Sequence, residues 1–333
     1  MKIGITGASG LVGINLCKKA ISKNNTLNIL IRKDSSVTDT LDAHKFYGDL
    51  NNIEVLEAFC DGCDVIIHSA AMISIGFESY EEVNKVNYIG TKNLLRAAIK
   101  KGVKKFIYIS SINAYKKNPL DKSLEENRNF VTKGNSYDVT KAKAQDLVLK
   151  TKDIHTLSIN PTSILGKNDY KPSKLGTIIH SIYKNKFPFF MNGGLDIIDV
   201  TDLSNCIFNA IDNGRNNHAY LVSGKWRSFN DIIASIRKIQ TKKSTIIIFP
   251  IFFVKMMIPF LQLFPKRFLK YAAEINGKVI PGLENLSKES IENIVYSHKM
   301  VDNSKAKKEL GLKISSLDST IKDSIDSFKI LQN

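Results

Sequence analysis

The string Thr6-Gly7-Ala8-Ser9-Gly10-Leu11-Val12-Gly13 constrains this chain more than any other feature. It follows an apolar run at 3–5 that reads as a β-strand, and it opens a segment of helical periodicity. Glycines at such a place let the backbone turn sharply and approach a pyrophosphate, while the helix behind turns its positive end toward the same anion. Strand, glycine loop and helix in this order imply a dinucleotide site. A second string, Tyr137-Asp138-Val139-Thr140-Lys141, sets a phenol and an ammonium four residues apart on one face of a helix. A cation beside a tyrosine favours the phenolate, which brings a group of ordinary pKa about 10 into use near neutral pH. Together the two strings describe hydride transfer with a tyrosine acid/base.

Strand-like stretches at 2–6, 27–32, 65–68, 105–110 and 155–160 alternate with helical ones ending near 22, around 55–59, over 80–100 and from Tyr137 to about 151. This alternation predicts an α/β fold, a doubly wound parallel sheet (Rossmann) with ligand at the carboxyl ends of its strands. Residues 196–200 and 219–222 read as strands returning to the sheet. A chain of 333 residues has room for one large domain and a smaller C-terminal substrate lobe. The expected division assigns 1–166 with 195–224 to an NAD(P)-binding domain and 167–194 with 225–333 to a substrate-binding lobe. A signal peptide is not expected, because residues 3–13 are already strand and glycine loop. Cys60-Asp61-Gly62-Cys63 is a CxxC without the second half of a zinc site, so it is read as structural and no metal is expected. Four cysteines in so long a chain make no disulfide framework, which points to a reducing, cytoplasmic setting.

The formal net charge of +16 is compatible with nucleic acid, an anionic membrane surface or an anionic small molecule such as a phosphorylated cofactor. The lysines are scattered rather than interleaved with aromatics, and nothing resembles a nucleic-acid module, so a nucleic-acid partner is not expected. Residues 246–264 are mostly apolar but contain Pro250, Lys255 and Pro259, too broken for a spanning helix. The expectation is a buried segment lining an apolar pocket; the alternative is contact with a membrane surface.

In order and spacing, these strings resemble the extended short-chain dehydrogenase/reductases, the NAD-dependent epimerase/dehydratase family. Asn87-Tyr88-Ile89-Gly90-Thr91 is similar to that family's Asn-x-x-Gly-Thr helix signal, and Phe106-Ile107-Tyr108-Ile109-Ser110-Ser111 to its strand ending in the active-site serine. The resemblance implies that Gly7, Ser9, Gly10, Leu11, Val12 and Gly13 hold the cofactor, with Asp49 and Leu50 at the adenine and Ser69, Ala70 and Ala71, after His68, beneath the cofactor. It implies that Ser111 hydrogen-bonds the substrate oxygen, Tyr137 gives or takes its proton, and Lys141 holds the nicotinamide ribose. Strand alternation turns Ser110 to the opposite face. Where NAD-specific versions carry an acid at the end of the second strand, this chain has Arg32, able to pair with a 2′-phosphate. NADP is therefore the expected cofactor. NAD is the alternative, with Arg32 stacking on adenine.

Sugar-nucleotide dehydratases of this family carry Asp-Glu after the active serine, whereas this chain has Ile112-Asn113, which argues against dehydration. Epimerases commonly show Val-Tyr-Gly where this chain has Ala114-Tyr115-Lys116. Ser158-Ile159-Asn160-Pro161-Thr162-Ser163-Ile164-Leu165-Gly166 resembles a string of dihydroflavonol 4-reductase-like enzymes, of hydroxysteroid-dehydrogenase relatives and of bacterial hopanoid-associated sugar epimerases. That likeness implies that Pro161, Thr162, Ser163 and Ile164 line the nicotinamide. The expected activity is reduction of a ketone or aldehyde; the alternative is an NAD-dependent nucleotide-sugar or glycosyl-lipid epimerase. The expected partner is a small-molecule carbonyl or hydroxyl substrate, apolar or lipid-like, and a homodimer is compatible with this branch. A nucleotide-sensing module without catalysis would lack the tyrosine.

Overall fold

The structure is a computed structural model that describes residues 1–74, 78–186, 189–241, 246–250 and 297–330. Its first half alternates as the sequence predicts: β1 (Lys2–Thr6), α1 (Leu11–Ser22), β2 (Thr26–Ile31), α2 (Ser36–Asp39), β3 (His44–Tyr47), α3 (Ile53–Cys60) and β4 (Val65–His68). Then follow α4 (Tyr80–Asn84), α5 (Gly90–Lys100), β5 (Lys105–Ile109), α6 (Ser136–Lys150), β6 (His155–Pro161) and β7 (Ser163–Leu165). The remaining elements are α7 (Lys174–Tyr183), β8 (Phe189–Met191), β9 (Gly194–Asp199), α8 (Val200–Asn213), β10 (His218–Val222), β11 (Lys225–Ser228), α9 (Phe229–Ile239), β12 (Ile247–Phe249), α10 (Ser304–Leu310) and α11 (Leu317–Ile330).

Seven parallel strands form one sheet in the order β10-β6-β5-β4-β1-β2-β3. The chain winds outward from β1 in one direction and from β4 in the other, so the crevice between their carboxyl ends is the switch point where such sheets bind ligand. Alternate residues of each central strand enter different cores, because both faces of a parallel sheet are covered. Ile3, Ile5, Ile67, Ile107 and Ile159 meet residues of α1 and α8. Ile66, Phe106 and Tyr108 meet α3, α5 and α6 on the other side. A third core joins α7, α9 and α11.

Two readings of the sequence need correction. The stretch expected at 196–200 is the strand β9, but it pairs with β7 and β11 in a separate three-stranded sheet rather than returning to the large one. It stops at Asp199, whose carboxylate accepts the Thr201 amide at 2.7 Å and caps α8. The helix expected over 80–100 is interrupted by a π-helical turn at Lys85–Ile89, a distortion frequent at functional sites. Conversely β3 is a short edge strand whose four residues are all partly or fully exposed, and only Phe46 packs inward, edge-on to Phe59, too little to leave a pattern. Ala306, Leu310 and Leu312, on the lobe side of the expected division, pack into the same core as α1 and α8.

Of the apolar stretch 246–264, β12 pairs with β8, and Ile246 and Ile248 pack on the third core. Residues 251–264, with Lys255 and Pro259, lie outside the described residues. Among the described residues no helix is long and apolar enough to cross a membrane. Cys60 and Cys63 are buried, Asn28 donates to the Cys63 sulfur at 3.5 Å, and burial pushes the Cys63 thiol up to about 11.

Candidate active site

The glycine loop is shaped for close approach. Gly7 has a φ of +76°, and a Cβ there would meet the Ala70 nitrogen at 2.8 Å, so the loop sits directly on the Ser69-Ala70 backbone. A Cβ on Gly13 would lie 2.0 Å from the Gly7 carbonyl oxygen, so only glycine lets α1 pack this tightly against the loop. The α1 cap residue is Gly10, with no side chain closing the first turn, which leaves the leading amides available to an anion. Gly7, Ser9, Gly10, Leu11 and Val12 are partly exposed here, while Gly13 is buried. These residues fit a dinucleotide.

A chain of hydrogen bonds locks the floor beneath the loop. Ala70 N donates to Thr6 Oγ1 at 3.2 Å, and Thr6 Oγ1 lies 2.7 Å from His68 Nδ1. His68 Nε2 lies 2.9 Å from Thr91 Oγ1, which itself donates to the Asn87 carbonyl at 2.6 Å. Because the Thr91 proton is spent on Asn87, Nε2 must carry the ring proton and Nδ1 must accept from Thr6. Burial, with the charge of Lys141, lowers His68 to about 3 and keeps the ring neutral. Ser69 Oγ donates to the Thr6 carbonyl at 2.7 Å. Asn87, in the π-turn, accepts the Met72 amide at 2.8 Å and donates to the Met72 carbonyl at 3.0 Å and to Thr140 Oγ1 at 3.1 Å. It thereby joins the segment after β4 to the helix that carries Tyr137.

Ser111 follows β5 and caps a 3₁₀ turn at Ile112–Ala114, its Oγ accepting the Asn113 amide at 3.1 Å. Its carbonyl is held by Asn160 Nδ2 at 3.0 Å, so the asparagine of the Asn-Pro-Thr string positions the serine. Ser110 is buried. Asn135 caps α6, and the Ser111 hydroxyl hydrogen-bonds the Tyr137 phenol. Lys141 is buried, its Nζ donating to the Ile109 carbonyl at 2.5 Å and lying 4.4 Å above the Tyr108 ring. Tyr108 is a contributor the sequence reading missed; its alternation with Ile109 was the available signal.

The expected activation of Tyr137 by its lysine is corrected here. Desolvation, then the Asp138 charge, push the phenol above its ordinary value, outweighing the Ser111 hydrogen bond; burial lowers Lys141 to about 7. At neutral pH the phenol therefore carries its proton. Asp138, also missed, is buried beside it, and burial raises its carboxyl to about 6 against the Lys117 charge and the Asn113 hydrogen bond. Since the fold favours the protonated acid, ionisation between about pH 4 and pH 6 destabilises the native state, and the full cost applies above pH 6. Asp138→Asn is accordingly expected to gain up to about 3 kcal/mol over the wild type at pH 7.5 and little at pH 4. Denaturant titrations at both pH values check this; an equal difference at both refutes it.

At the far end of the crevice Arg32 and Lys33 are exposed beyond β2. Asp34 accepts from Tyr47 Oη at 2.9 Å and pairs with Lys45 at 3.1 Å, so its carboxylate is engaged on β3. Asp49 is exposed and Leu50 buried after β3. Pro161 closes β6 beside Val222, Thr162 N donates to the Val222 carbonyl at 3.2 Å, and Ser163 and Ile164 begin β7, partly exposed.

Residues 3–223 match the model of the NAD dependent epimerase/dehydratase family. Over 234 residues the chain is 29% identical to sterol demethylase protein B of Methylococcus capsulatus, covering 69% of this chain and 71% of that protein. It is 26% identical over 219 residues to the 4-hydroxy-2-methyl-3-oxo-4-farnesyl-3,4-dihydroquinoline-1-oxide ketoreductase of Stigmatella aurantiaca, spanning 62% of each. The fold matches UDP-glucuronic acid 4-epimerase from Bacillus cereus, solved with UDP-glucuronic acid and NAD, at a TM-score of 0.75 and 19% identity over 99% of this chain and 100% of that one.

Proposed function

The chain belongs to the NAD dependent epimerase/dehydratase family, enzymes of the extended short-chain dehydrogenase type, and on that premise we propose that it reduces a ketone or aldehyde on an apolar, lipid-like substrate. The observation that carries this reading is the meeting of Ser111, Tyr137 and Lys141 at the carboxyl end of β5, beside the switch point, with the Tyr137 phenol held protonated. A bound nicotinamide dinucleotide supplies the hydride. Ser111 donates a hydrogen bond to the carbonyl oxygen, and Tyr137 gives its proton to that oxygen as it becomes an alkoxide. Lys141 donates one proton to the Ile109 carbonyl and keeps at least one more for a ribose hydroxyl, whether or not its amine is charged. The names of the sterol and farnesyl-quinoline relatives support an apolar substrate. Functionally, 1–166 with 195–224 bind the cofactor and 167–194 with 225–333 bind the substrate.

We assign the cofactor preference to NADP, since Asp34 is occupied by Lys45 and Tyr47 while Arg32 is exposed at the ribose end. Arg32→Asp should weaken NADPH roughly tenfold to a hundredfold, as for loss of a charged hydrogen bond, and NADH far less. Calorimetric titration with both cofactors decides; equal losses mean that Arg32 only stacks on adenine. The reaction itself is tested by mass spectrometry of the purified protein and by NADPH oxidation against a panel of ketones. Retained NAD and turnover of a nucleotide sugar would replace the reductase by an epimerase.

A further inference from the structure

A buried polar bridge joins α6 to the end of β5, its members satisfying one another. Asn160, Gln145 and Ser158 are 0% exposed and Tyr115 is 1% exposed. Asn160 Nδ2 donates to the Ser111 carbonyl at 3.0 Å and to Gln145 Oε1 at 2.6 Å, while Asn160 Oδ1 accepts the Ser158 hydroxyl at 3.0 Å. Gln145 Nε2 donates to Tyr115 Oη at 2.9 Å. The bridge stands where the pairing of β5 with β6 gives out. Ile109 is in register with Ile159, and the Ser110 amide still donates to the Ile159 carbonyl at 2.8 Å. The next ladder donor on β6 would be residue 161, a proline without an N–H. There the Asn160 side chain takes over from the backbone and holds the Ser111 peptide.

We propose that Gln145 is a positioning residue for Ser111: it sets the Asn160 amide, and through it the serine peptide, with Tyr115 as its outer anchor. The order of donors fixes the direction of the bridge. The Ser111 carbonyl only accepts, so Asn160 turns its nitrogen toward it. The second proton of that nitrogen needs an acceptor, so Gln145 turns its oxygen inward and its nitrogen toward Tyr115. Flipping either amide would set nitrogen against nitrogen or oxygen against oxygen, so the buried network admits one arrangement. Tyr115 is itself held, its ring 5.2 Å from that of Phe130 and its flanks tied by the Lys116 amide to the Asn129 carbonyl and the Val131 amide to the Ala114 carbonyl. On the other side Ser111 Oγ accepts the Asn113 amide at 3.1 Å. With the serine carbonyl fixed as well, its hydroxyl proton is left for Tyr137 or a substrate oxygen. Gln145 lies eight residues after Tyr137, about 12 Å along α6, too far to act on the phenol directly. This role deepens the proposed carbonyl chemistry, on which the task of Ser111 rests.

The test labels the full-length protein with 3-fluorotyrosine and follows the Tyr137 resonance by fluorine NMR, assigned through its loss in Tyr137→Phe. Ser111→Ala gives the position of that resonance without the serine hydroxyl. Gln145→Met keeps the side-chain length and removes both polar atoms, and its Tyr137 resonance is expected to move toward the Ser111→Ala position. Gln145→Glu offers Asn160 an oxygen in either protonation state and is expected to return the resonance to the wild-type position. With the ketone that the wild type reduces fastest, kcat of Gln145→Met should fall roughly tenfold to a hundredfold, as for a displaced catalytic group, with the KM for NADPH unchanged. Gln145→Glu should restore it. A merely structural role would lower the melting temperature and leave the resonance and kcat in place. If Gln145→Met does not fold, Tyr115→Phe carries the test, since it keeps the ring and removes the outer anchor; its Tyr137 resonance is expected to move in the same direction. An unmoved resonance in the variant that carries the test, or one that Gln145→Glu does not restore, overturns the positioning role and leaves the reductase standing wherever ketones are reduced. The expected pattern of resonances in a protein that reduces no ketone supports the positioning role and counts against the reductase.

Discussion

Tyr137→Phe is expected to turn over its substrate at least about a hundredfold more slowly than the wild type, the usual contribution of a positioned general acid, with cofactor affinity staying within about twofold. Phe keeps the ring and removes only the hydroxyl, so packing at the head of α6 is preserved. What is lost is the proton that must reach the carbonyl oxygen as hydride arrives, together with the hydrogen bond to Ser111. Desolvation holds this proton on the phenol at neutral pH. Lys141 is anchored independently, through Ile109 and the Tyr108 ring, and should stay in place in the variant. Steady-state rates and cofactor titration on the same preparation separate the two effects. Undiminished turnover in Tyr137→Phe sinks the assignment of the acid.

Gly13→Ala is expected to weaken dinucleotide binding by on the order of a hundredfold or more and to cost about 1–3 kcal/mol of stability, as for an overpacked core. The added methyl would lie 2.0 Å from Gly7 O, 2.6 Å from Gly7 C and 2.9 Å from Ala8 Cα, all backbone atoms with no rotamer to give way. Helix α1 must then move off the loop, and the leading amides move with it, away from the pyrophosphate position. Gly102→Ala is the control. It has a φ of +68° with nothing within 4 Å of the added Cβ, so it carries backbone strain of about 1 kcal/mol without touching the loop. Fluorescence titration with NADPH and NADH, beside thermal melts, reads both quantities. A Gly13→Ala protein that binds cofactor like the control would mean that the dinucleotide does not rest on this turn.

The sequence by itself determined β1, the glycine loop and α1, and it set Tyr137 and Lys141 on one helical face. Those features depend on local rules: glycine for tight approach, period two or near four for facing sides. It also told where β4 and β5 lie, because strands buried on both faces leave near-continuous apolar runs, while the polar Thr156, Ser158 and Asn160 interrupt β6. The tertiary structure alone decided the rest. Thr6 and His68 are 62 residues apart, and only the pairing of β1 with β4 puts their side chains 2.7 Å from each other. The strand β9 has the same apolar character as one of the main sheet, and its place in the smaller sheet follows from pairing with β7 and β11, which no local pattern encodes. Asp34 stands two residues after Arg32 in sequence, yet its commitment to Lys45 and Tyr47 depends on β3 lying alongside β2. The sharpest case is Tyr137. Read from neighbours in sequence, a lysine one turn away lowers the phenol pKa; in the fold, burial raises it and lowers the lysine instead. Spacing along a helix is a property of a few residues, whereas desolvation is set by every chain segment that displaces water from the group.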